Sequence, residues 1–158
     1  MSRVQLALNV DNVDQAVAFY SQLFRTEPAK RRPGYANFAL DEPALKLVLI
    51  ENPGRGGSLN HLGVEVGSTD EVTSAHSRLA GEGMATATED NVTCCYAVQD
   101  KVWVDDPDGA PWEIYTVLAD APTANGDLAA ADTCGAGACA TTELAADESA
   151  TAPVAGCC

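Results

Sequence analysis

The sequence predicts an α+β protein built from two tandem βαβββ modules whose sheets pair, followed by a disordered C-terminal tail. Two observations carry the repeat and a third carries the tail. A strand–helix–strand pattern occurs twice, and setting Val10 on Val66 aligns the passes at an offset of 56 residues. Leu6 then matches Leu62, Leu8 matches Val64, and Gln5 matches His61. Near residue 120 the composition changes to Ala, Gly, Thr and acids with almost no large apolar residues, too little to offset the entropy of ordering. The expected organisation is one domain over 1–120, with modules of about 1–53 and 58–120, and a tail over 121–158.

The elements follow in order. "RVQLALNV" alternates apolar and polar residues and reads as a strand. "DNVDQAVAFYSQLF" opens on Asp/Asn cap candidates and sets Val13, Val17, Tyr20 and Phe24 on one helical face, ending before Pro28. "YANFAL" and "LKLVLIE" are strands around a "DEPA" turn. The second pass begins with the strand "HLGVEVG" and continues into the capped helix "STDEVTSAHSRLAGEG". Three β segments complete it: "CCYAV", "KVWVDD" and "WEIYTVLA", with a tight-turn "DPDG" between the last two.

Composition excludes several classes. The chain carries 23 acids against 9 bases, a net charge of −14, which suits neither a phosphate-tracking surface nor a nucleic-acid partner. The one basic cluster, "KRRPG", reads as a solvated turn. No apolar run approaches the ~18 residues of a membrane span, and the N-terminus has no signal-peptide core, so a cytoplasmic protein is expected. Of six cysteines, four fall at or after Cys134, which is not how a disulfide framework is spread.

Three side chains could hold a metal. Gln5 and His61 occupy equivalent places on the first strands of the two modules, and Glu113 sits amid apolar residues in "PWEIY". A strand-interior acid needs a partner or an ion. An amide oxygen, an imidazole nitrogen and a carboxylate make a variant of the facial triad that leaves positions open on Fe(II). Alone, His61 is equally compatible with a satisfied core histidine and Gln5 with an ordinary strand residue; the symmetry of the two raises the set above chance. His76, the other histidine, is expected on a helix surface. At the point symmetric to Glu113 the nearest match is Lys46, which cannot donate an oxygen, so an open three-ligand site is expected.

"LNVDNVDQAVAFYSQLF" and "DPDGAPWEIY" resemble the vicinal-oxygen-chelate superfamily of glyoxalases, extradiol dioxygenases and bleomycin-resistance proteins. "MSRVQLALNV", "EPAKRRPGYANFAL", "LNHLGVEVGSTD", "TCCYAVQDKVWV" and "PWEIYTVLAD" narrow the resemblance to one branch, the arsenic-inducible C–As lyases and cadmium-induced proteins, over residues 1 to about 121. The resemblance implies a vicinal-oxygen-chelate fold and an Fe(II)- and O2-dependent cleavage of trivalent organoarsenicals such as methylarsonous acid to arsenite. It also implies Gln5, His61 and Glu113 as metal ligands and the adjacent Cys94 and Cys95 as the arsenic-binding pair.

Thiolates are the natural ligands of soft trivalent arsenic. Neighbours in a regular strand point to opposite faces, so Cys94 and Cys95 can grip one atom only from a loop or bulge. The polar "TEDNVT" before them suggests a lid over about 88–96. Tyr35, Tyr96 and Trp103 are candidate pocket walls, and the tail cysteines Cys134, Cys139, Cys157 and Cys158 are candidate metal collectors on a tether. The rival reading is a cadmium- or arsenite-binding stress protein without turnover. A bleomycin-type drug binder has no use for the triad or the thiols, and a glyoxalase lacks its fourth ligand where lysine stands. A monomer and a homodimer are equally compatible with the sequence.

Overall fold

The computed structural model describes residues 2–124. The tail expected from 121 onward lies outside the described residues from 125, as do Cys134, Cys139, Cys157 and Cys158.

The first module runs β1 (Arg3–Val10), α1 (Val13–Phe24), β2 (Lys30–Arg32), β3 (Tyr35–Leu40) and β4 (Leu45–Glu51). The second repeats it as β5 (Leu59–Glu65), α2 (Thr69–Gly81), β6 (Ala87–Cys94), β7 (Ala97–Asp105) and β8 (Pro111–Asp120). Both helices start on side-chain caps: Asn12 accepts from the Gln15 amide and Ser68 from the Glu71 amide. Arg25 closes α1 in the left-handed conformation.

The two module sheets do not stack. They join edge to edge through the antiparallel β1–β5 pair into one eight-stranded mixed sheet, ordered β2-β3-β4-β1-β5-β8-β7-β6. In each half the first strand runs parallel to the last (β1 with β4, β5 with β8), and the crossover helix covers one face. Leu6, Leu8 and Val10 of β1 turn to that face and pack with Val13, Val17, Phe38, Leu47 and Leu49. Burying each such side chain fully stabilises the fold by roughly 1.5–3 kcal/mol. Gln5, Ala7 and Asn9 alternate to the opposite face and are buried there as well.

That opposite face is concave because the ends of the sheet curl toward each other. Lys30 of β2 donates to the carbonyl of Tyr96 at 3.0 Å, and the Tyr96 hydroxyl donates to the carbonyl of Pro33 at 3.2 Å. Tyr96 follows β6, so the two edge regions of the strand order meet across the opening.

Three local expectations need correction. "KRR" is not a solvated turn but the edge strand β2, joined to β3 by Pro33–Gly34, where Gly34 takes the positive φ of 69°. "TEDNVT" is not a lid loop but part of β6, paired with β7, and the segment "CCYAV" spans a hairpin turn instead of forming a strand. Its polarity belongs to an edge strand with a solvated face. A bulge between Glu89 and Val92 puts Asn91 at φ 53°, held by its amide donating to buried Asp100 at 2.7 Å.

Candidate metal and thiol site

The inward residues of β1, β5 and β8 converge on the concave face. Gln5 and Glu113 flank the same residue, Gly63, which is the register partner of both. A Cβ on Gly63 would lie 3.0 Å from Cγ of Glu113 and 3.4 Å from Cβ of Gln5, so glycine is what lets the two side chains lean together. Gln5 Nε2 lies 2.9 Å from His61 Nε2 and 2.6 Å from Glu113 Oε1, and His61 Nε2 lies 3.3 Å from that same carboxylate oxygen. All three residues are at least 95% buried.

Three atoms on one face of an octahedron, each about 2.1 Å from a central ion, are about 3 Å apart. The triangle Gln5–His61–Glu113, with edges of 2.6, 2.9 and 3.3 Å, has that size. Half a turn of the Gln5 amide exchanges its nitrogen for Oε1 at the centre, an assignment that rests on hydrogen-bonding partners. Tyr115 accommodates either orientation: its hydroxyl donates to the outer Gln5 oxygen at 2.5 Å and has Glu65 Oε2 at 3.5 Å as a second acceptor. Among the described residues no three His, Cys, Asp or Glu side chains converge, so the Gln5 amide completes the donor set.

The histidine tautomer is fixed from outside. Ser58 donates its hydroxyl proton to the carbonyl of Arg55 at 2.7 Å, so toward Asn9 it can only accept. Asn9 therefore turns Nδ2 to Ser58 at 2.9 Å and Oδ1 to Asn60 Nδ2 at 3.0 Å. Asn60 is left presenting Oδ1 to His61 Nδ1 at 2.7 Å. The proton then sits on Nδ1, and the Nε2 lone pair faces the triangle, the form in which imidazole binds a metal.

Lys101 holds the far oxygen of Glu113 at 2.8 Å and is 2% exposed. Burial alone would raise the Glu113 pKa, but the Lys101 charge beside it outweighs burial and holds the carboxylate well below its ordinary range. Burial would likewise lower Lys101, and Glu113 overrides it and raises that pKa instead. Lys101 lies over the rings of Trp103 and Tyr115, and Trp103 meets His61 edge-on at 5.6 Å with its own Nε1 buried and unpartnered. Burial keeps Tyr115 protonated, with Glu65 reinforcing it.

The cysteines come from the β6–β7 hairpin. Cys94 ends β6, and Cys95 and Tyr96 form a two-residue turn with φ values of 56° and 60°. Positive φ at both central positions marks a type I′ turn, and it ends the strand alternation that would send Cys94 and Cys95 to opposite faces. The two sulfurs are 3.1 Å apart, neither is in a disulfide, and Cys94 is buried. Cys95 packs with Tyr96 against Ala7, Tyr35 and Val48 on the concave face, within electrostatic reach of Lys46, Lys101 and Tyr115. Tyr35 and Tyr96 rings meet at 5.5 Å across the opening.

The fourth corner is not Lys46. Register pairs Glu113 with Gly63 and Ala7 with Val48, and Ala7 is the residue equivalent to Gly63, so Val48 stands opposite Glu113. Lys46 lies one pair further on, beside Gln5, where burial lowers its pKa against the pull of Glu65. His76 lies on α2, half-buried. Lys101, Tyr115, Gly63 and Asn60 escaped sequence reasoning. Tyr115, two residues past Glu113 on a strand, and Gly63, two past His61, were legible as sharing the ligands' face; Asn60 and Lys101 carried no such signal.

A curled mixed sheet of paired βαβββ units around a buried polar triangle defines a class, and the chain belongs to it: residues 3–114 match the Glyoxalase/Bleomycin resistance protein/Dioxygenase superfamily. Within it, the chain is 63% identical over 123 residues to the cadmium-induced protein CadI of Mycobacterium tuberculosis, covering 78% of this chain and 81% of that protein. It is 58% identical over 124 residues to a trivalent organoarsenical cleaving enzyme of Thermomonospora curvata, covering 78% and 82%. Among solved structures, the Mn(II)-bound glyoxalase of Novosphingobium aromaticivorans shares the fold with a TM-score of 0.54 at 22% identity, covering 82% of this chain and 44% of that one. The superfamily's description includes dioxygenases, and relatives at this level of identity carry organoarsenical-cleaving and cadmium-induced names. No helix among the described residues is long and apolar enough to cross a membrane.

Proposed function

We propose that this protein cleaves the C–As bond of trivalent organoarsenicals such as methylarsonous acid, using Fe(II) held by Gln5, His61 and Glu113 and O2 as co-substrate, and so confers organoarsenical resistance in the cytoplasm. The observation that carries the reading is the vicinal thiol pair, 3.1 Å apart, on the same concave face as the triangle of oxygen and nitrogen donors. Fe(II) bound there would supply the activation of dioxygen.

The chain's own residues do the rest. Cys94 and Cys95 replace two hydroxyls on methylarsonous acid, their thiol protons leaving with those hydroxyls as two waters. The arsenic is then tethered with its methyl group toward the triangle, which turns an encounter into an oriented reaction. Lys101 keeps Glu113 ionised and occupies its outer oxygen, leaving Oε1 for the metal. Asn60 keeps the His61 lone pair available. Tyr35, Tyr96 and Trp103 wall the opening and exclude water.

The test is arsenite release from methylarsonous acid by Fe(II)-loaded protein, with and without O2, beside a Cys95→Ser variant. Release that requires iron, oxygen and the thiol is the expected result; release from the serine variant at the full rate would sink it. The identity to CadI favours one second reading, a thiol trap for cadmium or arsenite without turnover. Tight binding with no arsenite released under any condition would select that reading.

A further inference from the structure

Beside Cys95 a cavity of about 250 Å³ opens between β3, β4, β7 and β8. None of Gln5, His61 and Glu113 lines it; it opens on the same concave face, beside the triangle, with Lys46 the register partner of Gln5. Its wall carries Arg3, Lys30 and Lys46, three of the chain's nine bases, against Glu65, with Lys30 also ion-paired to the exposed Asp120. In a chain of net charge −14 this is a local positive basin. Arg3 and Lys46 share Glu65, at 3.9 and 3.6 Å, so one carboxylate answers two cations. Gln99 also lines the cavity: it is 4% exposed, its Nε2 donates to the carbonyl of Cys94, and its Oε1 is buried with no hydrogen-bond partner. A buried orphan acceptor costs about 1–3 kcal/mol unless something donates to it.

We infer that this cavity receives the carrier on which arsenic arrives: a low-molecular-weight thiol bearing a carboxylate. The inference rests on the arsenical reading above. The group cleaved from arsenic must face the triangle, and the substituents exchanged off arsenic leave into this cavity, which Cys95 itself lines. The exchange balances without an oxidant. An arsenical carrying two carrier thiolates meets Cys94 and Cys95 as thiols; two As–S bonds to the carrier break, two to the cysteines form, and the two cysteine protons leave on the carrier sulfurs. The basin holds the carrier carboxylate.

The experiment follows transfer of methylarsenic to the metal-free full-length protein from its bis-adducts with 3-mercaptopropionate, 2-mercaptoethanol and cysteamine, carriers of similar size and different charge. Tryptophan fluorescence reads the rate and intact mass reads the product. Bulk attraction to so acidic a chain favours cationic cysteamine. The cavity predicts the reverse order, with the carboxylate carrier faster by about tenfold at low salt. Lys30→Glu should abolish that preference and Arg3→Gln, at a half-buried position, should halve it or more. Equal rates for the three carriers, or a preference indifferent to both variants, would overturn the cavity assignment while leaving the thiol-capture reading intact. If no carrier delivers arsenic to the cysteine pair, that reading falls and the inference with it.

Discussion

The two modules solve the same folding problem with different residues at matching places, and the differences collect on the concave face. Gln5, Ala7 and Val48 of the first module answer His61, Gly63 and Glu113 of the second. The first contributes one neutral donor and an apolar corner; the second contributes an imidazole, a carboxylate and the glycine that makes room for it. The hairpins differ in the same way. β2 and β3 turn through Pro33–Gly34, residues suited to a tight turn, whereas β6 and β7 turn through Cys95–Tyr96, both left-handed and neither glycine. A duplicated scaffold lets one half remain locally consistent while the other departs from local preference, and such departures gather where chemistry is held.

Removing the charge that distinguishes the second module should have the largest effect. Glu113→Gln leaves Lys101 buried without a counter-charge and should cost about 3–5 kcal/mol in denaturant unfolding of the metal-free protein, together with loss of turnover. The sign with pH follows from the carboxylate. Its pKa falls from an ordinary 4.5 to about 2 on folding, so its contribution is present above pH 4.5 and is lost as pH drops from there toward 2. The acid limb of the stability profile should flatten over that window in the glutamine variant. A limb of unchanged slope would mean that the Lys101–Glu113 pair is not what the acid breaks.

A smaller effect should come from the relay that only the second module's histidine requires. Asn60→Leu removes the acceptor for Nδ1–H and frees the ring to change tautomer, which should weaken Fe(II) or Mn(II) binding by about 10–100-fold. Titration calorimetry reads the affinity, and nitrogen NMR of the histidine reads the tautomer without reference to activity. Unchanged affinity with a shifted tautomer would remove His61 from the ligand set.

How much of this was legible in the sequence follows the same divide. The repeat, both helices and the converging Gln5, His61 and Glu113 could be read because periodicity and internal symmetry are written locally. Two strands at the sheet's edges could not: β2 is three residues long and basic, and β6 reads "ATEDNVTC", polar enough to pass for a loop. Edge strands are decided by a partner's ladder, not by their own hydrophobicity. Val48 and Lys46 were confused because the last strand of each module pairs in a register that the loop lengths do not reveal. Lys101 was invisible as a site residue for a different reason: the partner that makes its burial tolerable is Glu113, a contact between two strands.

The smallest expected effect tests the hairpin contrast directly. Replacing Cys95–Tyr96 by Asn–Gly gives the second module a turn suited to its own backbone. Each non-glycine residue in the left-handed region costs roughly 1–2 kcal/mol. The exchange also forfeits the Tyr96 ring against Tyr35 and its hydrogen bond to Pro33, so a net gain of about 1 kcal/mol is expected. Denaturant unfolding measures the gain, and intact mass after exposure to methylarsonous acid measures the loss of two-point arsenic capture. Stability that rises as capture disappears would show that the second hairpin keeps an unfavourable turn for the sake of its thiols. Stability that falls would mean that the Tyr96 contacts, by holding the two edges of the sheet together, outweigh the backbone cost, and that the turn is structural first.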